Sequence, residues 1–256
     1  MEVPKSLYDF FEEVGELSRF AGRFFQVAFS RPFESKELIK QCYIIGYKSL
    51  FLVAVTGFIM GLVLTLQVRP TMVEFGAVAY MPRMIGISMV REIGPMITAL
   101  ICAGKIGSSI GAELGSMKVT EQIDAMEVSG TNPFKYLVVT RVWAAILMLP
   151  LLTFVADAVG LFGSYLIESS KGSVSFYQYY NYVFSSLVFG DIIPATLKTF
   201  FFGFAIGIVG CYKGYTSNKG TEGVGKAANS AVVTASLLLF IIDFIAVMVA
   251  DIFWEI

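Results

Sequence analysis

The chain has no histidine and little charge, and both shortages restrict its chemistry. Of 256 residues, 15% are charged, whereas a soluble domain carries about a quarter. Without histidine, Ser-His-Asp catalysis, histidine-bound metals and imidazole proton relays are excluded. The three cysteines, Cys42, Cys102 and Cys211, are far apart, and we interpret them as small buried apolar residues. A net charge of −1 offers no basic surface for nucleic acid.

Apolar residues dominate the composition. They make up 56% of the chain, and the mean hydropathy is +0.71. A soluble core could not enclose so many apolar side chains, so the composition predicts an all-α integral membrane protein forming one domain over 1–256. A spanning helix needs about 20 apolar residues. Stretches of this kind predict five transmembrane spans, at 43–66, 93–114, 137–167, 192–211 and 231–253.

The N-terminal region is predicted to be an amphipathic helix and not a signal peptide. It carries several acidic residues where a signal peptide would be basic, and its apolar residues recur at helical spacing. The pattern predicts a helix over about 5–30 with too many charges to span the membrane. We expect this helix to lie in the membrane interface. The alternative is that it packs on a soluble partner.

Lysine and arginine are distributed unequally between the two sides of the predicted spans. They are frequent in the N-terminal region and in the loops after spans two and four, which favours a cytoplasmic N-terminus. Five spans then place the C-terminus on the outer side. Basic residues also occur on that outer side and weaken the bias: Arg69, Arg83, Arg91 and Lys171.

Small residues recur four positions apart in several spans, as in Gly57 and Gly61. Helices in lipid associate through close backbone packing, which needs small side chains. We interpret these glycines as packing positions within one chain in preference to a dimer seam.

Charged residues inside the predicted spans are costly and therefore indicate a functional site. Lys198 lies in span four, Asp243 in the middle of span five and Asp157 in span three, and Arg91-Glu92 opens span two. We expect a Lys198–Asp243 pair or an Arg91–Glu92 network facing a cavity. The alternatives are a purely structural buried ion pair and, for Lys198 and Arg91, side chains that reach to the interface.

The loop at 117–130 predicts a short amphipathic helix. Thr120 can cap this helix, and the carboxylates of Glu121 and Asp124 favour its positive end. Val119, Ile123 and Met126 form one apolar stripe. Such a helix suits docking into a groove of a partner, although it could instead lie on its own bundle.

A near match to the phosphate-binding P-loop occurs at 220–227. Ala227 stands where that motif needs Ser or Thr, and a membrane span precedes it in place of a strand. We therefore interpret this segment as a flexible basic loop and expect no nucleotide site in this chain.

The segment from Arg91 to Arg141 resembles the signature region of the MlaE/YrbE permease family. It reads REIGPMITALICAGKIGSSIGAELGSMKVTEQIDAMEVSGTNPFKYLVVTR. The family blocks R-E-[LI]-G-P, A-G-[RK]-x-G, A-E-x-G-x-M and T-E-Q-[IL] occur in order, and weaker resemblance covers about 5–250. Lys105 stands where the family more often has Arg, which keeps the charge but loses the bidentate geometry.

The resemblance implies an ABC transporter permease that forms a homodimer in the inner membrane. It further implies a separate cytoplasmic ATPase that binds ATP and Mg²⁺, an MCE-domain lipid-binding partner on the outer side, and phospholipid as cargo. The loop helix would be the coupling helix to the ATPase, and the charged positions would line the lipid pathway. The residues implied for ATPase coupling are Thr120, Glu121, Gln122, Asp124 and Glu127. The residues implied for the lipid pathway are Arg91, Glu92, Lys198 and Asp243.

Three other functions compete with this interpretation. An ion-coupled secondary transporter could use Asp157 and Asp243, but such proteins usually show internal repeats, and no duplicated pattern occurs. A membrane enzyme would need a nucleophile or metal constellation that this sequence does not offer. A structural scaffold would leave the intramembrane charges unexplained.

Overall fold

The protein is helical almost throughout. The computed structural model describes residues 5–31, 34–172, 174–217 and 220–254, and this part contains no strand. The all-α class is therefore confirmed. Within these residues, five helices are long and apolar enough to cross a membrane, which confirms the predicted number of spans.

The helices follow the order of the predicted elements, with one addition. We number those of the described chain α1 (Lys5–Ala28), α2 (Ser35–Glu74), α3 (Val78–Val119), α4 (Gln122–Val128), α5 (Phe134–Lys171), α6 (Phe176–Ser186), α7 (Phe189–Tyr215) and α8 (Thr221–Trp254). The spanning helices are α2, α3, α5, α7 and α8. Pro70, Pro150 and Pro194 lie inside these helices. Proline is tolerated inside transmembrane helices because neighbouring groups in the bundle satisfy the backbone carbonyls that it leaves free.

Several spanning helices contain π-helical turns. Such a turn adds one residue to the helix and often marks a functional position. The turns occur at Tyr43–Tyr47 in α2, at Met89–Ile93 and Ala103–Gly107 in α3, and at Phe134–Val139 in α5.

The chain forms two compact units, and the first contains the amphipathic helix α1. This unit comprises Met1–Cys42, Ala103–Ala145 and Phe204–Ser236. Phe24 of α1 is buried, with its ring 6.2 Å from that of Trp143 and 5.7 Å from that of Phe204. On the acidic face, Glu13 pairs with Lys213. Helix α1 thus packs on its own chain, and its placement in the membrane interface stays a prediction.

The second unit comprises Tyr43–Cys102, Ile146–Gly203 and Leu237–Ile256. Its buried apolar cluster consists of Met81, Ile85, Met89, Leu161, Tyr179 and Val183. Helices α2 and α5 approach so closely that a β-carbon on Gly61 would lie 1.8 Å from the carbonyl oxygen of Gly160. This contact confirms the interpretation of Gly61 as a packing position within one chain.

Helix α6 was not predicted from the sequence. Ser175 caps it, because its hydroxyl oxygen accepts a hydrogen bond from the backbone N–H of Gln178 at 3.3 Å. Its buried Tyr179 donates to the hydroxyl oxygen of Ser164 at 2.7 Å, and burial raises the pKa of the Tyr179 phenol, which keeps it a donor. The helix is short and rich in aromatic residues, so its pattern did not separate it from a loop.

Candidate functional site

A buried lysine holds two carboxylates in the second unit. The Nζ atom of Lys198 lies 2.7 Å from Oε2 of Glu92 and 2.9 Å from Oδ1 of Asp243. Helices α3, α7 and α8 each contribute one of these residues. The Lys198 side chain is only 3% exposed, whereas that of Glu92 is 46% exposed. The structure therefore forms the expected Lys198–Asp243 pair and adds Glu92 to it.

Arg91 has a different partner from the one that the sequence suggested. Its Nε atom lies 3.3 Å from Oδ1 of Asp191, so the pair joins α3 to the start of α7 rather than linking Arg91 to Glu92. The other carboxylate oxygen of Asp191 accepts from the backbone N–H of Val188 at 3.0 Å. Sequence reasoning missed Asp191, although a carboxylate in the first turn of a helix is a recognisable N-terminal signal.

The π-helical turn Met89–Ile93 carries both Arg91 and Glu92. The sequence placed these two residues at the start of span two, whereas α3 begins at Val78, so they lie well inside the helix. Pro82 does not prevent the earlier start, because α3 opens with a 3-10 turn at Val78–Tyr80 and Pro82 lies in the first turn of the α-helical part that follows, Met81–Ser88.

These charged residues border a cavity of about 410 Å³. Arg91, Glu92, Asp191 and Lys198 line it together with Asp251 of α8. Apolar residues such as Ile87, Val247 and Met248 complete the wall. A cavity with both charged and apolar walls is chemically suited to an amphiphile.

Asp157 lies near this site but outside the ion-paired cluster. Its side chain is buried, and its Oδ1 atom has no hydrogen-bond partner in the described chain. That oxygen lies over Gly94, directly after the π-helical turn, where an added β-carbon would come within 1.6 Å of it. Asp157 thus contacts the segment that carries Arg91 and Glu92.

Helix α4 is the predicted loop helix, although it starts differently. Thr120 does not cap it, because the Thr120 hydroxyl donates back to the carbonyl of Ser116 at 2.9 Å and so closes α3. Glu121 occupies the cap position with a left-handed backbone, at φ 58°, and makes no capping hydrogen bond. The threonine was misassigned because its hydroxyl can equally bond to the preceding turn.

The two faces of α4 differ in what they contact. Ile123 is buried, so the apolar side of α4 faces its own chain. Asp124 pairs with Lys118 at 2.9 Å, while Gln122 and Glu127 are exposed. Val128 is 91% exposed at the end of the helix. The outer face of α4 therefore presents carboxylates and one uncovered apolar side chain.

Two further ion pairs were not predicted. Arg141, which is 2% exposed, bonds to Glu113 at 2.8 Å in the first unit. Arg69 bonds to the buried Glu168 at 2.9 Å in the second. In each pair the two residues are too far apart in the sequence for helical spacing to predict that they pair.

Known proteins resemble this chain over nearly its whole length. The sequence model of the family described as Permease MlaE matches residues 38–249. The chain belongs to the MlaE permease family. The family resemblance noted in the signature region is thereby confirmed, and the match includes Glu92, Lys198 and Asp243 as well as all of α4.

Relatives of this MlaE family member come from several organisms. A probable ABC transporter permease protein of Rickettsia typhi is 38% identical over 95% of this chain and 94% of its own length. One from Synechocystis is 36% identical over 82% of this chain and 80% of its own. The intermembrane phospholipid transport system permease protein MlaE of Haemophilus influenzae is 31% identical over 94% of this chain and 93% of its own.

Proposed function

We propose that this chain is the permease subunit of an ABC transporter that moves phospholipid between the inner membrane and an outer-side MCE-type lipid-binding partner. The observation that carries the proposal is the cavity of about 410 Å³, where charged residues grouped around the buried Lys198 meet apolar walls. Head groups would bind near Arg91, Glu92 and Lys198, and acyl chains would follow the apolar helix surfaces. The name of the Haemophilus influenzae relative supports phospholipid as cargo.

A separate cytoplasmic ATPase would drive this movement. The names of the Rickettsia typhi and Synechocystis relatives support an ABC transporter, and such a system needs an ATPase. ATP and Mg²⁺ would bind to that partner and not to this chain. Helix α4 would dock on it through Glu121, Asp124 and Glu127, so that closure of the ATPase pair moves α4 and changes the shape of the cavity. With α4 on the ATPase side, the N-terminus would lie in the cytoplasm and the C-terminus on the outer side.

The permease would work as a homodimer. In the most apolar 18-residue stretch of α8, only 11% of the residues are buried within the chain, whereas in the corresponding stretch of α7 the share is 56%. Helix α8 therefore has a large apolar surface that lipid or a second copy can cover. An ion-coupled transporter remains the alternative mechanism, but its motivating residue Asp243 is already paired with Lys198.

Transport by neutralised variants tests the pathway assignment. Removing one partner of a buried ion pair leaves an uncompensated charge and is strongly destabilising, so Lys198→Ala alone cannot separate function from folding. The triple variant Glu92→Gln, Lys198→Met, Asp243→Asn removes all three charges together. We expect it to assemble normally and to lose at least about tenfold in ATP-driven lipid transfer in reconstituted vesicles.

The matched control is Lys171→Ala, whose exposed side chain lies outside the cluster. It should transfer lipid at the rate of the unaltered chain. If the triple variant also transfers lipid at that rate, the cluster is a structural ion pair and the pathway assignment is wrong.

A further inference from the structure

The charges around the cavity do not balance. Among the described residues, two cations around it, Arg91 and Lys198, are accompanied by four carboxylates: Glu92, Asp191, Asp243 and Asp251. The group therefore carries a formal excess of two negative charges. An excess of carboxylates around a partly desolvated cavity favours a ligand that brings positive charge.

Both cations of this group are already engaged in ion pairs. Lys198 is buried between two carboxylates, and Arg91 is engaged with Asp191 through Nε. A second anion at Lys198 would have to displace one of its partners. Of the cavity cations in the described part of the chain, Arg91 is the one whose terminal nitrogens can receive a phosphate, since its side chain is 32% exposed.

Two of the four carboxylates, by contrast, are accessible. The Glu92 side chain is nearly half exposed. Asp251 is exposed on the cavity wall, and no ion pair engages it within the described residues. The carboxylates of Glu92 and Asp251, which can bind a cationic group, thus line the same cavity as the Arg91 guanidinium, which can bind a phosphate.

We propose that this cavity selects phospholipids whose head group carries an ammonium group over those with a net anionic head group. The ammonium would bind to Glu92 and Asp251, and the phosphate to Arg91. This inference rests on the proposed transport function and adds the head-group class to it. Asp251 is then a specificity-determining residue.

The lipid bound by the permease–ATPase complex tests this preference. The complex is reconstituted in vesicles of equal phosphatidylethanolamine and phosphatidylglycerol, re-extracted in mild detergent, and its bound lipid is quantified by mass spectrometry. We expect phosphatidylethanolamine to be enriched over the vesicle composition. Asp251→Asn should lower the ratio of the two lipids about threefold, the scale of an exposed ion pair, and Asp251→Lys should lower it further.

Glu74→Gln is the matched control, because Glu74 is an exposed carboxylate that does not line the cavity. It should leave the ratio unchanged. Bound lipid with the vesicle composition, unaltered by either Asp251 variant, would overturn the head-group preference while leaving the transport function intact. A complex that retains no phospholipid at all would overturn both.

Discussion

At the scale of single residues, Gly94 shows how the site depends on a missing side chain. The carboxyl group of Asp157 occupies the space that a β-carbon on Gly94 would need. Because Gly94 directly follows the π-helical turn Met89–Ile93, the contact supports the segment that carries Arg91 and Glu92. A buried carboxyl that seemed a possible ion site from sequence thus lies against Gly94, directly after the charged turn.

Gly94→Ala should destabilise the protein. The added methyl group would lie 1.6 Å from Oδ1 of Asp157, and overpacking of this kind costs about 1–3 kcal/mol. Thermal unfolding of the chain in detergent measures the loss. Adding Asp157→Ala to Gly94→Ala removes the clash and should recover part of the lost stability.

Gly104→Ala is the control for this prediction, because it lies in the same helix and its β-carbon would meet nothing within 4 Å. It should leave the unfolding temperature nearly unchanged. Equal losses from both alanines would mean that the cost arises from the helix backbone and not from Asp157.

At the scale of elements, contacts with its own chain fix which face of α4 is buried and which is exposed. Its buried Ile123 and the Lys118–Asp124 pair attach it to its own chain, so Glu121, Glu127 and Val128 remain exposed. An attached helix with a free charged face can transmit a push from a partner, whereas a loose loop would absorb it.

Reversing charge on this face should uncouple the ATPase. Glu121→Lys with Glu127→Lys places like charges against a complementary partner surface, and such contacts cost several kcal/mol. We expect the ATPase retained in a pull-down with the permease to fall at least about tenfold. Glu222→Lys, at the exposed start of α8, is the control. Full retention of the ATPase by the double variant would contradict the docking role.

At the scale of the whole molecule, the number of copies decides how the cavity works. The low burial of α8 within the chain leaves a surface suited to a second copy. Native mass spectrometry of the tagged chain, gently extracted from its host membrane, should show two copies with an ATPase and bound phospholipid. A lone chain without ATPase, where other complexes survive, would favour the ion-coupled transporter and make Asp157 the next residue to test.

The sequence by itself determined the class of this protein and most of its chemistry. Apolar runs near the length of a bilayer crossing predicted five spans, because composition alone decides which segments can leave water. The cost of intramembrane charge pointed to Lys198, Asp243 and Glu92, and in the structure Lys198 pairs with both carboxylates. The ordered blocks from Arg91 to Arg141 identified the family.

Only the tertiary structure decided which charges pair. Arg91 meets Asp191, about a hundred residues away in the chain, because a π-helical turn in α3 faces the start of α7. Helix α6 and the role of Thr120 also depended on the fold, since a short aromatic segment or a hydroxyl between two helices has equivalent local options. The spacing of residues along one helix predicts which of them share a face. Which residues of another helix that face contacts is decided by packing between helices that are distant in sequence.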